Sequence, residues 1–150
     1  TTNIDLTVAG TKRRSVLHAR IRVRTPAGRS RTVHVFCLHL GLTERVRDLQ
    51  MARFLGSHPF AGLHEKSPIL VAGDFNDVWA SLGEKHLGRA GFRGSSRPPR
   101  TFPAWAPLRA LDSIWVRGDI QIVDIATSRL PLARRASDHL PLVADLHLPR

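Results

Sequence analysis

The residues of this chain best suited to chemistry are carboxylates, amides and imidazoles in three short segments: Gly73-Asp74-Phe75-Asn76-Asp77, Leu111-Asp112 and Ser137-Asp138-His139. A carboxylate directly after a buried strand is held rigidly. Gly73 permits close backbone approach there, and Asn76 brings a neutral amide into the same turn. Hydrolysis of a phosphate ester needs an oriented or metal-bound water and donors for the phosphoryl oxygens. Asp74 and Asn76 suit those tasks, although the same turn also fits a strand-to-helix connection in which both only cap backbone amides. Adjacent Asp138 and His139 can set a carboxylate on a metal and an imidazole on a phosphate, and histidine titrates near neutrality, as proton transfer requires. Asp112 is a third carboxylate, able to orient the His139 ring as in hydrolase triads. A surface ion pair or loop cap is the plainer reading of each.

These residues need elements to position them. Ile4, Leu6 and Val8 alternate as in a half-buried strand, and residues 9–12 read as a turn. Leu17, Ala19, Ile21 and Val23 form a second alternating run with Arg20, Arg22 and Arg24 opposite, before Pro26-Ala27-Gly28 breaks the chain into a hairpin. Residues 32–40 are apolar enough to predict a strand covered on both faces. Thr43 is placed to cap a helix reaching about Leu55, with an apolar stripe of Val46, Leu49 and Ala52. A buried strand over residues 69–72 ends at Gly73-Asp74, and a short helix is expected from Asp77 to about Leu87. Residues 94–107 read as a long surface loop anchored by Phe102 and Trp105. Strands follow at 111–116 and 120–126, then a loop carrying Arg134-Arg135, then a strand at 142–148. Strands interleaved with helices predict one layered α/β (α+β) sandwich with its acidic and polar residues at strand ends.

Composition bounds the partners. The net charge is +11, and of the 23 basic residues only Lys12, Lys66 and Lys85 are lysine. Such a field attracts polyanions, and the guanidinium fork fits phosphate, although arginine spread over a solvated face would give the same total. No apolar run approaches the ~20 residues that span a bilayer, so no transmembrane segment is expected. A cytoplasmic location is favoured on this reading. The lone Cys37 excludes an internal disulfide and is expected to be a buried thiol.

The ordered set His39-Leu40, Gly73-Asp74-Phe75-Asn76, Leu111-Asp112-Ser113-Ile114 and Ser137-Asp138-His139-Leu140-Pro141-Leu142 resembles the endonuclease/exonuclease/phosphatase superfamily. The resemblance runs from Asn3 to Leu148, and Thr101-Phe102-Pro103 is similar to bacterial members. It implies a four-layer, DNase-I-like fold with mixed, largely antiparallel sheet, and a divalent-metal-dependent phosphoesterase acting on phosphate esters. Asp74 would orient the attacking water, Asn76 a phosphate oxygen, and His139 the scissile phosphate with its tautomer set by Asp112. His39 would be a second phosphate-side imidazole. Mg²⁺, or Mn²⁺, would sit at Asp138 and Asp74.

The superfamily also places an asparagine and a metal-ligating glutamate ahead of the matched segment, and no acid of this chain lies there. Residues 1–150 are therefore expected to be an N-terminally incomplete, C-terminal portion of such a domain. Metal binding by this portion alone is expected to be weak, and an uncovered apolar sheet face is expected to make it self-associate. Phosphodiester hydrolysis on nucleic acid is the favoured activity. The alternatives are a lipid-headgroup or small-molecule phosphatase, and a non-catalytic basic nucleic-acid-binding fragment.

Overall fold

A computed structural model describes residues 1–24, 28–95 and 98–149. Its strands are β1 (Thr2–Asp5), β2 (Ser15–Arg24), β3 (Ser30–His39), β4 (Ile69–Asp74), β5 (Arg93–Gly94), β6 (Asp112–Arg117), β7 (Gln121–Thr127) and β8 (Leu142–His147). The first six form a sheet in the order β1-β2-β3-β4-β6-β5, and β7 and β8 pair separately. Only the β3–β4 ladder of that sheet is parallel. A parallel neighbour needs a crossover, and helix α1 (Glu44–Gly56) lies in that connection. Pro26 and Ala27 of the expected break lie outside the described residues.

One sheet face carries the main core. Val16, Phe36, Leu38, Ile69, Val71 and Trp115 pack against Met51 and Phe54 of α1 and against Phe60 and Phe92. The buried stripe of α1 is Arg47, Gln50, Met51 and Phe54, not the expected Val46, Leu49 and Ala52. The physical reason is that two buried polar residues tie down the segment entering the helix. Gly41 donates its N–H to Gln50 Oε1 at 2.8 Å, and Arg47 donates to the Leu42 carbonyl at 2.6 Å. Thr43 occupies the N-cap position without a side-chain capping bond.

The opposite face is covered only in part. Val33, Val116 and Ile120 form a second cluster with Val23, Val35, Leu70, Ile122 and Leu148, where the β7–β8 pair lies against the sheet. Elsewhere this face is open: Leu17 is 44% and Ile21 48% exposed. Cys37, expected to be buried, is exposed on it, because alternate residues of β3 point away from the main core. The expectation of a β3 strand covered on both sides therefore holds for only part of its length.

Two further elements differ from expectation. No helix starts at Asp77; its buried carboxylate accepts the Leu82 N–H at 2.6 Å and closes a turn, after which a π-helical turn runs over Glu84–Gly88. The supposed loop with Arg134-Arg135 contains a short helix, α2 (Pro131–Ala136), with proline in its first turn, where the missing N–H costs nothing.

Candidate active site

Strand register assembles the site. His39 ends β3, Asp74 ends β4 and Asp112 begins β6; His39 pairs with Asp74, and Asp74 with Asp112. Directly paired residues project to the same side, so the three side chains form one row across the sheet. His39 Nε2 lies 3.4 Å from Asp74 Oδ2. From the loop after α2, His139 brings Nδ1 to 2.7 Å from Asp112 Oδ2. Residues distant in the chain thus meet within one row.

The turn after β4 needs its sequence. Gly73 has φ +139°, and a Cβ there would stand 1.9 Å from the Leu38 carbonyl oxygen. Asn76, at φ 49°, donates its N–H to Asp74 Oδ1 at 2.8 Å and its side-chain Nδ2 to the Leu40 carbonyl at 2.9 Å. Asparagine tolerates that left-handed conformation better than most residues. The capping reading of the turn holds for Asp74 Oδ1, which accepts a backbone N–H, while Oδ2 faces His39. One hydrogen of the Asn76 amide is committed to holding β3 against this turn.

The two imidazoles are biased in opposite directions. At His39, burial has the largest effect and lowers the pKa; Arg14 adds to it and Asp74 opposes it. At His139, burial is again the largest single influence and lowers the pKa. The hydrogen bond that His139 donates to Asp112 and the charges of Asp112, Asp74 and Asp138 together outweigh it, so the net shift is upward. Near neutrality the row thus favours a neutral His39 beside a cation-prone His139, the kind of separation that assigns distinct proton roles.

The loop before β6 was read as a surface feature, yet it fastens the site. Thr101 is fully buried, and its carbonyl accepts the Leu140 N–H at 2.8 Å. Ala104 donates to the Asp138 carbonyl at 2.7 Å. The Phe102 ring lies 5.0 Å from the His139 ring. Trp105, expected as an anchor, is 79% exposed, and Trp79 is 84% exposed. Both lie within three residues in sequence of site residues or of residues bonded to them. Only the burial of Thr101 could have signalled the fastening, and burial cannot be read from a Thr-Phe-Pro string.

Asp138 is exposed, and its charge acts on His139. Asp74 and Asp138 offer hard oxygen donors of the type Mg²⁺ or Mn²⁺ takes. Among the described residues, however, no group of three or more His, Cys, Asp or Glu gathers as a metal cage. The donor chemistry suits such an ion, but the set is incomplete.

The sequence model of the Endonuclease/Exonuclease/phosphatase family matches residues 8–139. The chain belongs to the endonuclease/exonuclease/phosphatase family. It is 40% identical over 153 residues to YbhP, an uncharacterized protein of Escherichia coli, across 97% of this chain and 57% of that protein. The chain thus spans little more than half the length of this relative. A mannosyl-6-phosphatase of Bacteroides thetaiotaomicron superposes with a TM-score of 0.77 at 15% identity, covering 97% of this chain and 65% of that one. TDP2 of D. rerio, complexed with single-strand DNA product, gives 0.69 at 18%, with 97% and 66% covered. The fold is the DNase-I-like α/β sandwich of the endonuclease/exonuclease/phosphatase family, whose members are generally hydrolases and typically use divalent metals. No helix among the described residues is long and apolar enough to cross a membrane.

Proposed function

We propose that this chain carries the water-activating and phosphate-binding side of a divalent-metal-dependent phosphoesterase that hydrolyses phosphodiesters of nucleic acid. The observation that supports it most is the 2.7 Å His139–Asp112 pair closing the row of His39 and Asp74. With Nδ1 held by Asp112, His139 turns its other nitrogen toward a substrate, where a protonated ring donates to a phosphoryl oxygen as charge develops. Asp74 Oδ2 is the acceptor for a proton of the attacking water. His39, biased neutral, hydrogen-bonds that water or a second phosphoryl oxygen. A bound divalent ion would supply Lewis-acid charge. Asp74 and Asp138 are the donors proposed here, with further ligands from the part of the longer relatives that this chain does not span.

Nucleic acid is favoured by the +11 charge and by the two exposed tryptophans, Trp79 and Trp105, which offer stacking surfaces for unpaired bases. A second reading, a small-molecule phosphatase, is supported by a cavity of about 160 Å³ beside Asp112. It is lined by Phe75, Trp115, Asp77 and Glu84, and acidic walls suit a hydroxylated leaving group better than a polyanion. The test is hydrolysis by the full-length protein of plasmid DNA, sphingomyelin and a sugar phosphate, with Mg²⁺ and then with chelator. Turnover of DNA abolished by chelation, and lowered ~10²–10⁴-fold in Asp74→Ala and His139→Ala, is the expected result. Unchanged rates in both variants would remove the assignment.

A further inference from the structure

The positive charge is not spread evenly. Residues 6–43 hold eight of the 23 basic residues and none of the twelve acids. Within that stretch, β2 and β3 continue past the start of β4, since β4 pairs with β3 only from His34 onward. The free end is therefore a two-stranded ribbon. One of its faces is seated: Val23 and Val33 pack into the cluster with Ile120, Ile122 and Leu148, and Arg31 on the same side pairs with Asp119 at 2.9 Å.

The other face presents a ladder. Arg20 pairs across the strands with His34, Arg22 with Thr32 and Arg24 with Ser30. All three arginines are exposed, as are Thr32 and Ser30. Among the described residues, no carboxylate lies within ion-pair distance of Arg20, Arg22 or Arg24. Arginines two apart on a strand repeat at ~6.6 Å, about twice the ~3.4 Å rise per phosphate of one strand along a duplex axis. The hydroxyls of Ser30 and Thr32 lie in the adjoining row as further phosphate donors. No apolar side chain stands among these six, which disfavours a lipid surface, where basic faces adjoin apolar ones.

We infer that the Arg20-Arg22-Arg24 ladder is a second docking surface for the phosphate backbone of nucleic acid, separate from the hydrolytic row. It lies on the opposite sheet face from His39, ~17–30 Å away along β3. It therefore holds a long polymer to the protein without touching the scissile bond. The inference rests on the nucleic-acid reading above and extends it.

The test uses full-length protein in EDTA, with a fluorescent 40-base-pair duplex titrated between 50 and 250 mM KCl. Replacing all three arginines by threonine is expected to make the slope of log K against log[salt] shallower by ~2–3, each lost phosphate contact contributing ~0.9. A triple lysine variant should restore the slope, which separates lost charge from a disturbed ribbon. Hydrolysis of bis-p-nitrophenyl phosphate in Mg²⁺ should be unchanged in both variants. An unaltered slope, no duplex binding by the parent protein, or a loss confined to anionic phosphatidylglycerol vesicles would each overturn the ladder. Failure of the parent to hydrolyse the small diester would instead overturn the phosphoesterase reading and leave the salt slope to decide the ladder.

Discussion

Asp112 and His139 are 27 residues apart in sequence and 2.7 Å apart in space, so each is informative about the other. Replacing Asp112 by Asn removes the negative charge beside His139 and leaves only a neutral amide oxygen as acceptor, so burial weighs more heavily against the smaller contributions of Asp74 and Asp138. The His139 titration in metal-free protein should therefore move to lower pH, which NMR of the ring protons reads directly. The sign for stability follows. With a folded pKa above the unfolded 6.5, the stabilisation from this pair is complete below 6.5 and is lost as pH rises through the folded value. Asp112→Asn should reduce that alkaline loss. In catalysis, the same variant should lower turnover of a phosphodiester by ~10²–10⁴-fold, because His139 then spends less time protonated. An unshifted titration would mean that Asp112 does not control the ring.

At the scale of elements, the β4 turn is the most constrained. Gly73→Ala would drive a methyl group into the Leu38 carbonyl in a conformation disfavoured for alanine, so a loss of about 1–3 kcal/mol is expected from overpacking alone. Urea denaturation of the full-length variant checks it, and a neutral result would show that β3 and β4 shift apart freely. Between β2 and β3, His18 Nε2 and His34 Nδ1 lie 3.1 Å apart, with His18 stacked on Phe36. Burial chiefly lowers both pKa values, aided by Arg20 at each and by His34 at His18. The unfolded chain therefore takes up protons first, and the contribution to stability, complete above pH 6.5, falls on acidification below it. His18→Phe should flatten the dependence of the urea midpoint between pH 7 and 5. A midpoint that falls as steeply as in the parent would exclude this pair as the source.

For the whole molecule, the open face bearing Leu17, Ile21 and Cys37 is the dominant feature. An apolar sheet face without a covering layer favours association. The 150-residue chain produced alone is expected to sediment above its monomer mass of 16.7 kDa, and Leu17→Lys with Ile21→Lys to shift it toward monomer. A monodisperse parent in sedimentation velocity would contradict this. With its metal donors incomplete, the same chain is expected to show little Mg²⁺-dependent turnover beside the full-length protein, and equal specific activity would contradict that.

The four motifs, their order and the family they indicate were legible in the sequence, because their residue types recur in a fixed order along the chain. The run of β3 and the turn after β4 were legible as well: a continuous apolar stretch and Gly-Asp-Phe-Asn report local backbone demands. Tertiary structure alone decided that Arg47 and Gln50, rather than Val46 and Leu49, face inward on α1, since they answer backbone groups at Gly41 and Leu42. It alone decided that Cys37 is exposed and that Thr101 and Ala104 fasten the His139 loop. Which face of a strand is covered, and which polar atom meets which, depends on neighbours far away in the chain, and no local pattern encodes them.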